Sequence, residues 1–253
     1  MANRLTSPAG KVGAVHAIER LRWLAGTQWA PAGELAAEAA WALGELASEE
    51  PAAVLPSCRR LLERHPACGP LWWVAATVCG AGDQVEAAGA CADALMNDPT
   101  EDVLDEALAS GRRAVRRGSL GDVVGAEIVV VAVEALGAQG MVIERGRTGL
   151  VEAARQVEVP IWLVAGVGCL LPPRLFSALA DRLSMGGRPR VPMIVGSSGY
   201  HRGAGEAGGA VADELGGVTD VVGPTGPLPL GRALAGPSCP EPPELLGGWR
   251  APG

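Results

Sequence analysis

The sequence predicts an α/β protein made of an N-terminal all-helical domain, residues 1–110, followed by a Rossmann-like domain with a parallel sheet, residues 111–253. Two observations support this fold class. Apolar side chains recur at helical spacing before residue 110, whereas β-branched runs alternate with helical stretches after it. The order strand, helix, strand, helix, strand also favours right-handed crossovers, which produce parallel strands. The last part of the second domain is rich in glycine and proline.

Six helices are predicted in the first domain from apolar periodicity and from start signals. Asp83 and Glu86 have the spacing of a capping box. Asp98-Pro99 is the clearest start, because an N-cap residue precedes a proline at the first helical position. His16 lies beside the apolar stripe of the first helix and is predicted to pack there. Four of the predicted helices span Lys11–Ala25, Glu34–Ala47, Ala52–Arg64 and Pro70–Val78, and the other two begin after Asp83 and Asp98.

Three strands are predicted in the second domain. Ile128–Val131, within Gly125–Val133, is a continuous β-branched run of the kind found in a central parallel strand that is covered on both faces. Val159–Ala165 is predicted as a second buried strand, and Val191–Val195 is the third candidate. Helices are predicted between these strands over Thr148–Gln156 and Pro172–Leu183.

Composition and charge exclude several classes of protein. Hydrophobic residues make up 48% of the 253 residues, which is too many for wholesale disorder. A formal net charge of −7 argues against a general nucleic-acid binder. The longest uncharged apolar run, Val159–Pro173, is too short to span a bilayer. We therefore expect neither nucleic acid nor a membrane as a partner.

The chain start and the cysteines indicate a cytoplasmic protein. Met1–Thr6 is not followed by the apolar stretch of a secretory signal. The six cysteines show no paired spacing, so most are expected to be buried thiols. Residues 196–217 contain eight glycines and little apolar content, and we expect them to form a mobile loop.

The most informative segment for function is Gly125–Gly166. Glu134 is placed at the carboxyl end of the buried strand, followed by a loop containing Gly140, and Thr148 begins the next helix. In open α/β sheets, ligands bind at the carboxyl ends of strands, and helix N-termini attract anions. The residues predicted to face one ligand crevice are therefore Glu134, Gly140, Glu144, Arg145, Arg147 and Thr148. The alternative is that Glu134 only caps a strand end and that the arginines are solvated.

Three other groups of residues have simpler explanations. Arg112, Arg113, Arg116 and Arg117 indicate a helix end or a short edge strand with a charged flank, or else an anion site. Gly203–Gly208 matches a dinucleotide fingerprint but lies too far beyond the preceding strand, which favours a loop. The cysteines and histidines lack zinc-site spacing. We expect no metal and no cofactor.

The segment Gly125–Gly166 resembles the superfamily that unites translation initiation factor 2B regulatory subunits with aldose-phosphate isomerases. In that family the strand ends in Gly-Ala-Asp, followed by Asn-Gly, Asn-Lys-x-Gly-Thr and a Val-Pro strand. Here Glu134 stands at the Asp position, Gln139-Gly140 at Asn-Gly, and Glu144-Arg145 at Asn-Lys. Arg147 falls where glycine is expected, and Thr148 is retained. The resemblance implies a helical domain before a Rossmann-like domain that dimerises.

The departures from the family pattern favour a protein without catalytic activity. The resemblance implies that the isomerases use the aspartate together with a cysteine on an earlier loop as acid and base. That portion is shortened here, and Cys79 and Cys91 are on predicted helices. The first hypothesis is an initiation-factor-2B-like homodimer that binds a phosphorylated small molecule or a protein. The alternative is a diverged aldose-ketose isomerase with Glu134 as the catalytic acid/base, and a nicotinamide-dependent enzyme is a distant third.

Overall fold

The computed structural model describes residues 16–27, 30–109, 111–116, 120–185, 193–195, 215–237 and 239–246. Several predictions fall outside these ranges. They are the start of the first helix before His16, Arg117, the Gly203–Gly208 match, and all but the last three residues of the loop expected at 196–217.

Helices occupy the first part of the chain, as the apolar periodicity predicts. Asp83 caps the fifth of these helices by accepting a hydrogen bond from the backbone N–H of Glu86, at 3.0 Å. The sixth begins at Thr100, two residues after Asp98, which accepts hydrogen bonds from both the backbone N–H and the hydroxyl of Thr100. In chain order they are α1 (Ala17–Gly26), α2 (Ala32–Glu49), α3 (Val54–Arg64), α4 (Gly69–Gly80), α5 (Gln84–Met96) and α6 (Thr100–Leu108).

His16 is an exposed helix cap and is not packed on the apolar stripe as predicted. Its Nδ1 accepts from the backbone N–H of Ile18 at 3.3 Å, and its Nε2 lies 3.4 Å from a carboxylate oxygen of Glu49. In the structure the helix begins at Ala17, and His16 is its N-cap residue. His16 therefore precedes the helix, where an unpaired backbone donor attracts its ring.

The sheet has seven strands among the described residues. In chain order they are β1 (Ala114–Val115), β2 (Ile128–Gly137), β3 (Gly140–Ile143), β4 (Ile161–Val164), β5 (Met193–Val195), β6 (Val218–Gly223) and β7 (Gly226–Pro229). Their order in the sheet is β5-β3-β2-β4-β6-β7, and β1 pairs with the beginning of β2. β2 is parallel to β1 and β4, and β4 is parallel to β6.

The third parallel strand differs from the sequence prediction. β5 lies at the predicted position, but it pairs antiparallel with β3 instead of joining the parallel strands. Its place beside β4 is taken by β6, from the glycine- and proline-rich part of the chain. Short β-branched runs occur in both segments, so local sequence alone does not say which of them pairs with β4.

Helices cover both faces of the parallel strands. α8 (Thr148–Gln156) has the predicted bounds and packs against alternate residues of β2, including Val129, Val131 and Val133. On the other face, α6 packs against Val130 and against Trp162 of β4. The other α-helices in the described part of the chain are α7 (Leu120–Val123), α9 (Pro173–Met185), α10 (Leu230–Leu234) and α11 (Pro243–Leu246).

Candidate functional site

The segment around Glu134 is a hairpin rather than a strand followed by a long loop. β2 continues to Gly137, and a turn at Ala138 and Gln139 leads directly into β3. Glu134 is therefore inside the strand, and Gly140 is a buried first residue of the next strand. The prediction ended the strand too early because the β-branched run stops at Val133.

Glu134 is the extra residue of a β-bulge. On one edge of β2, Val133 pairs with Ile143, and the next pair is Ala135 with Val142. Bulges bend a strand and redirect a side chain, and they are frequent beside active sites. The Glu134 side chain is half-buried as a result, in a strand whose neighbouring residues are almost all buried.

A gap opens in the sheet beside Val130–Ala132. β1 pairs with β2 up to Val129, and β3 pairs with the same edge of β2 from Val133 onward. β1 runs parallel to β2 and β3 runs antiparallel to it, so their carboxyl ends meet at this gap. We name it the β1–β3 crevice. In open α/β sheets, ligands bind beyond the carboxyl ends of strands, and the carboxyl ends of β1 and β3 both border this gap.

Arg147 crosses the β1–β3 crevice. Its guanidinium donates a hydrogen bond to the backbone carbonyl of Arg116, immediately after β1. Its Nε lies 3.6 Å from a carboxylate oxygen of Glu144, immediately after β3. The Glu144 side chain is 73% exposed, so this ion pair contributes only about 0–1 kcal/mol to stability.

The start of α8 lies at the same crevice. A single 3₁₀ turn, Arg145–Arg147, leads into the helix, which begins at Thr148. The N-terminal end of a helix carries a partial positive charge, because the peptide dipoles along the helix are aligned. The structure thus brings Glu144, Arg147 and the helix start together around the crevice, close to the bulge at Glu134.

The environment of Glu134 favours its protonated form. Burial raises the pKa of the Glu134 carboxyl above its ordinary value, and the nearby charge of Glu144 raises it further. The start of α4 is pressed against the strand here, because a Cβ on Gly69 would collide with the Glu134 carbonyl. Gly168, with φ of +77°, also approaches the start of α4, because a Cβ on Gly168 would lie 2.9 Å from the Pro70 Cα.

The sequence did not indicate that two of the buried thiols lie near Glu134. Cys68 is the residue before α4, and Cys169 lies in the loop after β4. Burial raises the pKa of Cys68 to about 12, and the Glu134 carboxylate adds to the increase. Burial also raises the pKa of Cys169, with smaller contributions from Cys68, Glu134 and Asp98. In the sequence, only the positions of these cysteines could have pointed to the site. Cys68 comes just before a helix start, and Cys169 comes shortly after a strand end.

Asp98 holds the loop after β4. One carboxylate oxygen accepts from Thr100, and the other accepts from the backbone N–H of Val167 at 2.7 Å. A Cβ on Gly166 would lie 2.5 Å from that second oxygen, so glycine is required for the approach. Within the described ranges, no group of three His, Cys, Asp or Glu residues is arranged to hold a metal ion.

The arginines near residue 115 flank a short strand, as one reading of the sequence proposed. The Arg112 guanidinium lies 5.5 Å from the ring centroid of Trp162. Arg113 donates to the backbone carbonyl of Gly125, and Arg116 pairs with Asp105 and Glu101 on α6. These side chains brace β1 against its neighbours.

Comparison with known proteins identifies the fold. No protein-family model matches the sequence, and no curated protein matches it. A crystal structure of eIF2B beta from Chaetomium thermophilum aligns over 87% of this chain and 90% of its own, with a TM-score of 0.59 at 12% identity. A chain of a tetrameric eIF2B-beta2-delta2 complex from C. thermophilum aligns over 87% of this chain and 92% of its own, with a TM-score of 0.60, also at 12% identity.

These alignments establish an α/β fold of the eIF2B type over most of the chain. An eIF-2B translation initiation factor from Pyrococcus horikoshii OT3 also aligns, over 61% of this chain and 79% of its own, with a TM-score of 0.48 at 13% identity. The resemblance inferred from Gly125–Gly166 is confirmed at the level of the fold. Among the described residues, no helix is long and apolar enough to cross a membrane.

Proposed function

We propose that this chain is an initiation-factor-2B-like protein that binds a phosphorylated small molecule in the β1–β3 crevice and has no catalytic activity. The observation that carries the proposal is the position of Arg147 across the crevice, one residue before the start of α8. A guanidinium beside a helix start suits a phosphate, because the helix dipole attracts an anion and a phosphate accepts several hydrogen bonds at once.

The thiols around Glu134 support a role without catalysis. Acid–base isomerisation needs a second group that can gain and lose a proton near neutral pH. Cys68 and Cys169 are both buried with raised pKa values and remain protonated there. The resemblance to the isomerases implies a cysteine on an earlier loop as the second acid–base group. Neither Cys68 nor Cys169 is activated for that role.

Phosphate binding is tested by calorimetry with inorganic phosphate, sugar phosphates and nucleoside monophosphates. We expect Arg147→Ala to weaken binding of a sugar phosphate about ten- to a hundredfold, because a charge-assisted hydrogen bond contributes about 1.5–3 kcal/mol. Glu144→Gln should strengthen binding, since its carboxylate competes with phosphate for the guanidinium. Glu134→Gln should change binding little.

The matched control is Arg60→Ala, which removes an exposed arginine on α3, away from the crevice. Thermal unfolding of each variant shows whether the fold is retained. If Arg147→Ala leaves the affinity of every bound phosphate unchanged while the fold is intact, the crevice is not the binding site.

The alternative is a diverged aldose-ketose isomerase, and the raised pKa of Glu134 is the observation that favours it. In that case a turnover assay with aldose phosphates should detect a ketose product. Glu134→Gln should then abolish turnover while phosphate binding persists. Absence of turnover in the unaltered protein, with binding present, supports the non-catalytic proposal.

We further propose a cytoplasmic homodimer that also contacts protein partners. One structural neighbour is named as a tetrameric complex, which supports assembly. Trp23 on α1 is 68% exposed and Trp41 on α2 is 45% exposed. Arg20 joins the two helices by pairing with Glu38 and Glu45, one turn on either side of Trp41. Light scattering should give twice the chain mass of 25.7 kDa, and a monomer at micromolar concentration would oppose the proposal.

A further inference from the structure

A groove lies between α1 and α3, and the described residues that line it all belong to these two helices. It is open to solvent and has a volume of about 450 Å³. His65, directly after α3, helps to hold the helices together, because its Nε2 lies 2.9 Å from the backbone carbonyl oxygen of Leu24 in α1. We name this feature the α1–α3 groove. Its lining shares no described residue with the β1–β3 crevice, so a ligand bound here is distinct from the proposed phosphate.

The floor of the α1–α3 groove is apolar. Leu21 and Ala25 of α1 are buried and lie on the same face of the helix as the partly buried Ile18. Leu61, which is also buried, lines the floor from α3. Covering these residues with another apolar side chain removes more apolar surface from water, which is the main favourable contribution to protein association. A ligand that carries a leucine-sized side chain therefore fits this floor better than a purely polar one.

The rim of the groove is basic. Arg22 on α1 and Arg60 on α3 are exposed, and Arg59 beside Arg60 is half-buried. Glu63 is the only carboxylate among the described lining residues, so the groove carries three positive charges and one negative charge. The whole chain, in contrast, has a formal net charge of −7. The α1–α3 groove is therefore a positively charged feature of an acidic protein, and it attracts negatively charged groups.

Contacts within the chain place two of these arginines. Arg59 donates a hydrogen bond to the backbone carbonyl of Glu244 in α11, which fixes its guanidinium beside the groove. Arg22 pairs with Glu19 on the same helix, and both side chains are largely exposed. An exposed pair of this kind is weak, so Arg22 can exchange Glu19 for a carboxylate of a ligand. A charged side chain that is already in place loses little conformational freedom when a ligand binds.

We propose that the α1–α3 groove binds an acidic segment of a partner protein, with a leucine-sized side chain on the floor and carboxylates against the arginines of the rim. The planar guanidinium pairs with a carboxylate through two parallel hydrogen bonds. Protein interfaces combine an apolar centre with a polar rim, and arginine is enriched in them. The α1–α3 groove has this arrangement.

Two features favour a peptide over other anionic ligands. A small molecule is held in a pocket that encloses most of its surface, whereas this groove is open, and a peptide needs contact along one side only. A nucleic acid has no apolar side chain for the floor, and the negative charge of the whole protein opposes a polyanion. An acidic segment that also carries leucine matches both the floor and the rim.

Fluorescence anisotropy with the full chain tests the proposal. The probe is a labelled peptide of glutamate and leucine, and two control peptides replace every glutamate by glutamine or every leucine by serine. We expect the glutamate–leucine peptide to bind at micromolar concentration and each control peptide to bind at least about tenfold more weakly. Salt should weaken binding, because the contacts at the rim are exposed. Inorganic phosphate should not displace the peptide, because it cannot cover the apolar floor.

Charge reversal on the rim provides the matched comparison. Arg60→Glu should weaken binding of the glutamate–leucine peptide about tenfold or more, because a repulsion replaces an attraction. Arg232→Glu makes the same change in net charge at an exposed position on α10, which packs against β6 and β7, and it should have little effect. Arg147→Ala should also leave peptide binding unchanged, which separates this site from the β1–β3 crevice.

Thermal unfolding of each variant shows that its fold is retained. The proposal is overturned if the glutamate–leucine peptide does not bind, or if its glutamine version binds as tightly. It is also overturned if folded Arg60→Glu protein loses no more affinity than Arg232→Glu protein.

Discussion

At the scale of single residues, Glu134 shows how a bulge sets the chemistry of a side chain. Its position in the sequence indicated a strand end, where a carboxylate is solvated. The bulge instead leaves it half-buried inside β2, and burial raises the pKa of its carboxyl. No local pattern signals the bulge, because the shift in pairing depends on where β3 folds back. The sequence could therefore single out Glu134 as a candidate site residue, but it could not predict that the carboxyl is half-buried.

A pH-dependent effect on stability follows from the raised pKa of Glu134. The folded protein binds this proton more tightly than the unfolded chain does, so the ionised carboxyl destabilises the fold above its folded pKa. We expect Glu134→Gln to raise the melting temperature at neutral pH. The gain should shrink as the pH falls and vanish below about 4, where glutamate is protonated in both states.

Melting curves from acidic to neutral pH test this expectation, with Glu152→Gln as the control. Glu152 is exposed on α8, so its substitution should leave the melting temperature nearly unchanged at every pH. A Glu134→Gln variant that is less stable than the unaltered protein at pH 7 would show that the carboxylate makes stabilising contacts in the folded state.

At the scale of helices and strands, the junction between α4 and β2 depends on one glycine. A Cβ on Gly69 would collide with the Glu134 carbonyl and press against Ala135, 3.0 Å from its side chain. Both neighbours lie in a buried strand and cannot move easily. We expect Gly69→Ala to destabilise the protein by about 1–3 kcal/mol, the usual cost of overpacking. Chemical denaturation measures the change.

Gly149→Ala is the matched control for that substitution. Gly149 lies in the first turn of α8, as Gly69 lies in the first turn of α4, and a Cβ there would meet nothing within 4 Å. Because alanine favours the helix over glycine, this variant should be unchanged or more stable by up to about 1 kcal/mol. Equal destabilisation of the two variants would mean that the close approach of Gly69 to β2 is not the cause of the lost stability.

The N-terminal helices, α8 and the two central strands were predictable, but β3, β6, β7 and the pairing of the strands were not. The apolar spacing and caps placed the six N-terminal helices, and α8 has the predicted bounds. The β-branched runs placed β2 and β4. The parallel partner β6 and the antiparallel β5 could not be assigned, because pairing depends on contacts between distant parts of the chain. The same reason hid the neighbours of Glu134: Cys68 and Cys169 are 66 and 35 residues away from it.

At the scale of the whole molecule, we propose that the boundary near residue 110 divides two architectures that share one core. The largest cluster of buried side chains contains most of the apolar residues of α1–α5. It also contains Ala135 of β2, Phe176 of α9 and Leu245 of α11, all from beyond residue 110. Cys68 and Gly69 are packed against the strand that carries Glu134. Neither part can therefore lose its structure without exposing apolar surface of the other.

The shared core predicts one cooperative unfolding transition for the full chain. Independent domains unfold separately when few apolar contacts join them, whereas a continuous core couples them. We expect a single peak in scanning calorimetry, with the van't Hoff and calorimetric enthalpies equal. Phe176→Ala, beyond residue 110, should lower the free energy of unfolding by about 3–5 kcal/mol. The single peak should move to a lower temperature without splitting. Two resolved peaks, of which Phe176→Ala shifts only one, would show that residues 1–110 and 111–253 fold as independent domains.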